Sequence, residues 1–219
     1  MSIYRRLYRR FGPQFWWPGE TPFEVAVGAI LTQNTAWTNV EKAIARLKRA
    51  GALSFGGMRR LPEKRLAELV RPSGYYNQKA RKLRAFLSWL AMRGGKAGSL
   101  KRALHGPLAE LRESLLEVHG IGPETADSIL LYAGNRQVFV IDAYTRRVLC
   151  RHGLAGEDAG YEKLRALFEA SLPRSARLYN EFHALFVRVA KECCDRRGAC
   201  RPDCPLAPCP LPRGKEKRK

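Results

Sequence analysis

The chain has 219 residues, enough for one large domain or two smaller lobes with a real core. Apolar residues make up 45% of it, which excludes a disordered segment, and 40 Lys and Arg against 20 Asp and Glu leave a formal charge of +20. So strong an imbalance points to a polyanionic partner, nucleic acid first. No run of about 20 apolar residues occurs, so no membrane span is expected. The start, "MSIYRRLYRRFG", lacks the apolar core and small-residue cleavage site of a secretory signal, and the expected setting is the cytoplasm.

Taken in chain order, most segments carry helical periodicity. "TPFEVAVGAILTQ" opens with Thr21 as N-cap and Pro22 as the first helical residue. "NVEKAIARLKRA" and "PEKRLAELVRP" alternate apolar and charged residues at helical spacing. "NQKARKLRAFLSWLAMRGG" does the same, and Gly94 and Gly95 end it. "PLAELRESLLEVHGIG" sets Leu108, Leu111, Leu115 and Val118 on one stripe, and "PETADSILLYAG" continues with Ala126, Ile129, Leu130 and Ala133. Only "RQVFVID" reads as extended, too short for a sheet of its own. The fold class is therefore all-α, with a loop-like region from Arg196 and a basic tail "RGKEKRK".

Between two of these helices stands "HGIGP". Gly120 and Gly122 can adopt positive φ, Ile121 can plug the core, and Pro123 presets the next helix. Such a turn offers backbone N–H groups to a phosphate, in a helix–hairpin–helix that grips DNA without reading its sequence. The alternative is an ordinary connection between two helices. Asp142 follows an apolar run, where it either caps the next helix or stands at a cleft to stabilise a sugar cation or activate water. "KECCDRRGACRPDCPLAPC" gathers Cys194, Cys200, Cys204 and Cys209 into one short loop, the pattern of a metal site, without the CxxC knuckle of a zinc ribbon.

"VHGIGPETADSILLYAGNRQVFVIDAYTRRV" resembles the helix–hairpin–helix Gly/Pro–Asp superfamily of DNA base-excision glycosylases, and in general likeness endonuclease III. The resemblance runs over residues 21–209. It implies two helical lobes with a DNA-binding cleft between them: a six-helix barrel with the hairpin at 21–134, and a discontinuous lobe at 1–20 and 135–212, followed by the tail 213–219. Asp142 matches the family's essential aspartate. Glu124 stands where endonuclease III carries a Schiff-base lysine, and a carboxylate forms no imine. The resemblance therefore implies a monofunctional glycosylase, hydrolysing the base–sugar bond with water and without efficient strand cleavage.

"FWWPGETPFEVAVGAILTQNTAWTNVEKAI" looks like the 3-methyladenine DNA glycosylase III subgroup. By that likeness Trp16, Trp17, Pro18 and Trp37 border a mostly uncharged aromatic pocket for a cationic alkylated purine; core packing is the alternative for each indole. "PSGYYNQKARKL" resembles the family's GLYNxKA loop, with Tyr75 as intercalating wedge or buried aromatic, Asn34 or Gln33 filling the gap left by the flipped base, and Lys79 as backbone charge. The cysteine loop implies a structural [4Fe–4S] cluster on Cys194, Cys200, Cys204 and Cys209, with Cys193 able to replace Cys194. His119 and His183 read as structural. The implied partner is double-stranded DNA with a damaged base, bound by a monomer on prokaryotic chromosomal DNA. Two alternatives stand beside this: a bifunctional glycosylase/lyase of the endonuclease III type for oxidised pyrimidines, and a non-catalytic damage sensor.

Overall fold

The computed structural model describes residues 1–194 and 200–207. Every regular element among them is helical, and no helix among them is long and apolar enough to cross a membrane. The chain divides into two compact units, one built from Met1–Trp16 with the chain from Gln137 on, the other from Trp17–Arg136.

In the first unit, α1 (Ser2–Phe11) and α10 (Ala143–Arg151) both pack on α12 (Ala176–Glu192), and α11 (Tyr161–Ser171) brings Phe168 into the core. Phe139 and Phe168 stack at 3.9 Å between centroids, with Phe182 and Phe186 edge-on to Phe168. The segment expected to be extended, residues 136–142, forms no strand. Val138, Phe139, Val140 and Ile141 are all buried, and side chains rather than a neighbouring strand take up the backbone donors of Phe139 and Ile141. The Phe139 N–H donates to Glu169 at 3.0 Å and that of Ile141 to the Tyr161 hydroxyl at 3.4 Å. This run carries the chain into Asp142.

The second unit is wrapped around α2 (Pro22–Leu31), which is buried from Glu24 to Leu31. Thr21 caps it, its hydroxyl accepting from the Glu24 N–H at 3.1 Å, and Pro22 opens its first turn. Around it lie α3 (Trp37–Arg49), α4 (Phe55–Arg60), α5 (Glu63–Val70) and α6 (Tyr76–Gly94), which ends on Gly95 at φ +75°. After α7 (Leu100–Ala103) come α8 (Leu108–Leu116) and α9 (Pro123–Ser128), the latter running on as a π-helical turn over Ile129–Ala133. Arg112 on α8 grips Asp127 on α9 with two bonds, 2.7 and 3.2 Å, and Asp127 is wholly buried. A buried pair of this kind is costly to break from one side, on the order of 3–5 kcal/mol, so it fixes the two arms of the hairpin against each other.

Candidate functional site

The hairpin spends its backbone economically. Ile121 is buried, plugging the core as its place between the two glycines suggested, and its N–H donates to the Val118 carbonyl at 3.0 Å, so of the hairpin residues counted with the DNA-binding turn Ile121 has no donor left for a phosphate. Gly120 alone takes positive φ, +80°; Gly122, also expected there, is extended at φ −95° because it serves as the N-cap of α9. The two glycines differ in another way. A Cβ on Gly120 would meet the Lys82 side chain at 2.4 Å, whereas one on Gly122 would meet nothing within 4 Å. Gly122 therefore looks outward with Pro123 and Glu124, all exposed.

Gln33 ties this turn to the loop after α2. Its amide nitrogen donates to the Gly120 carbonyl at 3.0 Å and to the Thr125 hydroxyl at 2.8 Å, while its amide oxygen accepts from the Lys82 ammonium. An amide so occupied would have to give up these bonds before it could fill a gap in a duplex. Its neighbour Asn34 is exposed, held at φ +53°, and its side chain makes no hydrogen bond among the described residues.

Lys79 also departs from its expected place. It is 2% exposed, and its ammonium donates inward to the carbonyls of Leu31 and Ser73. Burial first, and the Lys82 charge second, bring its pKa down to about 8. It is therefore no backbone-charge contact; it staples the end of α2 to the 3₁₀ turn Arg71–Ser73. That turn presents Tyr75, which is 67% exposed with φ +44°, a strained conformation for an aromatic residue.

Beside α2, Trp17 meets the edge of Trp37 at 5.1 Å between centroids and tilts against Tyr132 at 5.0 Å. Gly28 lets both indoles close onto the helix: a Cβ there would lie 3.4 Å from Trp17 and 3.5 Å from Trp37. With Pro18, Ile44, Glu24 and Glu41 they line a cavity of about 40 Å³, room for water rather than a base. Trp16 belongs to the other unit and is not in this lining. The wall also carries charge that was not expected. Glu24 is paired with Lys48 at 3.1 Å, but Glu41, one turn after Trp37, has no cation beside it among the described residues. The i, i+4 spacing from Trp37 could have revealed Glu41; Tyr132 was hidden by the π-helical turn, which breaks the helical register.

In the first unit, Asp142 caps α10. One carboxylate oxygen accepts from the Thr145 N–H at 2.7 Å, and the other lies 3.6 Å from His183 Nε2. Burial opposes ionisation, but His183 and then Thr145 outweigh it and hold the carboxyl below the ordinary carboxylate range. Capping and charge thus coexist in one residue. His183 is 4% exposed, edge-on to Phe139 at 6.5 Å.

In the cysteine loop, Cys204 is hydrogen-bonded to Cys193 on one side and Cys200 on the other. Cys194, the expected first ligand, instead accepts from the Arg151 guanidinium at 3.1 Å. Cys209 lies outside the described residues, and among those described no three donors converge on one metal position.

Residues 27–174 match the model of the HhH-GPD superfamily of base excision DNA repair proteins. The chain belongs to that superfamily. A Methanocaldococcus jannaschii protein provisionally named a DNA repair glycosylase is 43% identical to this HhH-GPD chain over 205 residues, 94% of this chain and 92% of the other. A Helicobacter pylori 3-methyladenine DNA glycosylase, solved with 1,N6-ethenoadenine, superposes with a TM-score of 0.72 at 30% identity, over 87% of this chain and 96% of its own. An endonuclease III–DNA complex shares the fold, with a TM-score of 0.78 at 19% identity over 94% and 90% of the two chains. The protein is a DNA repair glycosylase of the HhH-GPD family.

Two outcomes follow from this geometry. Gly122→Val should fold, losing about 1 kcal/mol as a poorer cap, yet weaken binding to damaged and undamaged duplex by the same factor in fluorescence anisotropy; selective loss on damaged DNA alone would contradict a backbone-gripping role. Asp142→Asn keeps a capping side chain but removes the charge. Because the folded-state pKa is depressed, the charge stabilises the fold at neutral pH, and that contribution disappears as pH falls through the folded-state value, below about 4. Urea unfolding of the two proteins should differ most near neutrality and converge as the pH falls through the carboxylate range into acid.

Proposed function

We propose that this glycosylase excises alkylated purines of the 3-methyladenine type, hydrolysing the N-glycosidic bond of a flipped nucleotide without efficient cleavage of the strand. The observation that carries the reading is the pairing of Trp37 with Glu41 on one face of α3, opposite Trp17. An N3- or N7-alkylated purine is cationic. An indole face attracts such a ring, and an unpaired carboxylate at its edge adds to the attraction. The 30% identity to a 3-methyladenine glycosylase supports the same substrate class. The indoles now touch, so a purine enters only as the Trp17–Trp37 contact opens.

In this reading Tyr75 wedges into the duplex as the nucleotide leaves the stack, Asn34 fills the space left behind, and Gly122 with the first turn of α9 holds the phosphates. A positively charged leaving group needs little acid assistance. The chain has only to stabilise the sugar cation and admit water, and Asp142, kept ionised by His183 and Thr145, supplies the charge. Glu124, exposed at the head of α9, carries no amine for imine chemistry.

The cysteine loop suits a [4Fe–4S] cluster by its donor chemistry: soft sulfurs on one short segment. Cys193, Cys200 and Cys204, with Cys209, are the ligands we assign, and Cys194 remains with Arg151. When bound, such a cluster would cross-link the loop and take no part in base release.

The test is single-turnover release from duplexes carrying 3-methyladenine or thymine glycol. The methylated base should leave faster. Trp37→Ala should slow its release about 5- to 30-fold, the scale of one desolvated cation–π contact, and Glu41→Gln, on an exposed carboxylate, should slow it by a smaller factor, about 2- to 5-fold. Faster release of thymine glycol, or unchanged rates in both variants, would sink the alkyl-purine assignment.

A further inference from the structure

Helix α3 has a second, basic face. Asn39, Lys42, Arg46 and Arg49 recur at i, i+3, i+7 and i+10, a stripe about 80° wide at 100° per residue. It points away from the cavity wall formed by Trp37, Glu41 and Ile44. Ala45 keeps the floor low, and Arg71 and Pro72 from the turn after α5 close the far side, giving an open groove of about 630 Å³. Lys42, Arg46, Arg49 and Arg71 are all exposed, and none is ion-paired among the described residues. The neighbouring Lys48 shows the contrast: it lies toward the cavity side of the helix and is held by Glu20 at 2.7 Å and Glu24 at 3.1 Å. No carboxylate lines the groove. Four cations without a carboxylate partner around one groove, of which Arg71 also lies 5.7 Å over the Tyr76 ring, cost folding energy by mutual repulsion, so their arrangement calls for an anionic occupant.

We propose that this groove holds the sugar–phosphate backbone of the duplex flanking the damaged nucleotide, as a second contact apart from the hairpin. The inference rests on the protein being a DNA glycosylase. The shape favours a strand over a compact anion. From residue 39 to residue 49 the stripe runs about 15 Å along the helix, while one strand presents a charge every ~3.4 Å of duplex axis. Position favours the flank of the lesion. Arg71 is four residues before Tyr75, so the groove edge lies within ~14 Å of the exposed aromatic ring's own backbone, even for a fully extended chain. Lys79 fixes that connection by bonding Ser73, so a duplex seated on Tyr75 meets the groove at a set distance. The contact is to phosphate, so it adds affinity and register without selecting the base.

The experiment compares the intact chain with Lys42→Ala/Arg46→Ala/Arg49→Ala, and with an equally charge-reduced control, Lys64→Ala/Lys96→Ala/Lys101→Ala, whose three residues are also exposed. Affinity is read by anisotropy on lesion duplexes shortened stepwise from either end. The groove variant should bind the longest duplex at least tenfold more weakly than the wild type. Its salt dependence should be shallower by about 2–3 in log–log slope, near 0.9 per lost phosphate contact. Shortening one flank should weaken the wild type and the control but leave the groove variant unchanged, and base release by the control at saturating DNA should proceed at the wild-type rate. If the control loses as much affinity as the groove variant, or both lose the same factor at every duplex length, net charge is the cause and the groove is overturned. If the wild type binds no duplex, the glycosylase reading beneath it fails instead.

Discussion

One carboxylate has to stay charged against an apolar wall, and much of the first unit is arranged around that demand. Asp142 emerges from Val138–Ile141, four residues buried almost completely. Burial alone would keep its proton on. Two partners reverse the balance: the Thr145 N–H, which exists because Asp142 is also the N-cap of α10, and His183, delivered from the middle of α12. The aromatic stack of Phe139 and Phe168, with Phe182 and Phe186, holds α11, α12 and the incoming segment in place, so the imidazole and the carboxylate stay at their distance. Capping, packing and charge converge on a single side chain.

The second unit solves a different problem, that of fixing surface loops without a sheet to carry them. Two polar side chains do it from inside. Lys79 bonds the end of α2 and the turn before Tyr75; Gln33 bonds the hairpin on both sides of Ile121 and is itself held by Lys82. Lys79 and Lys82 sit three residues apart on α6, so one helix sets the positions of three loops. Burying an ammonium is expensive, and here two carbonyls offset the cost. Rigid placement is what the proposed insertion of Tyr75 into a duplex would require, since a wedge must meet the stack at a set depth.

How much of this was legible in the sequence depended on whether a residue's neighbours constrained it. The Thr21–Pro22 helix start, the all-helical class and the hairpin were legible because each has a local physical signature, and the same is true of the cap at Asp142. Lys79 misled because its charge outweighed its position. It falls on the stripe of Leu83, Phe86 and Leu90, all buried, and helical spacing alone would have placed it inside. Adjacent residues of like chemistry were harder. Gln33 against Asn34, and Cys193 against Cys194, differ by one step along the chain, and only the partners across space, Gly120 and Thr125 for one pair, Cys204 and Arg151 for the other, tell them apart. The unlike backbone of the two hairpin glycines, one left-handed and one extended, carries its signal in Pro123, which biases the residue before it, Gly122, toward extended backbone and makes it the cap of the next helix.

The central claim is that water, steered by an ionised Asp142, breaks the base–sugar bond, with no amine attacking the sugar. Glu124 removes the amine from the head of α9, and Lys79 is buried with its ammonium spent on two carbonyls. The most direct measurement is borohydride reduction during turnover on a duplex carrying 3-methyladenine. The account predicts complete base release with no covalent protein–DNA band. A band formed in proportion to released base, persisting through repeated purification, would show an imine intermediate and contradict it.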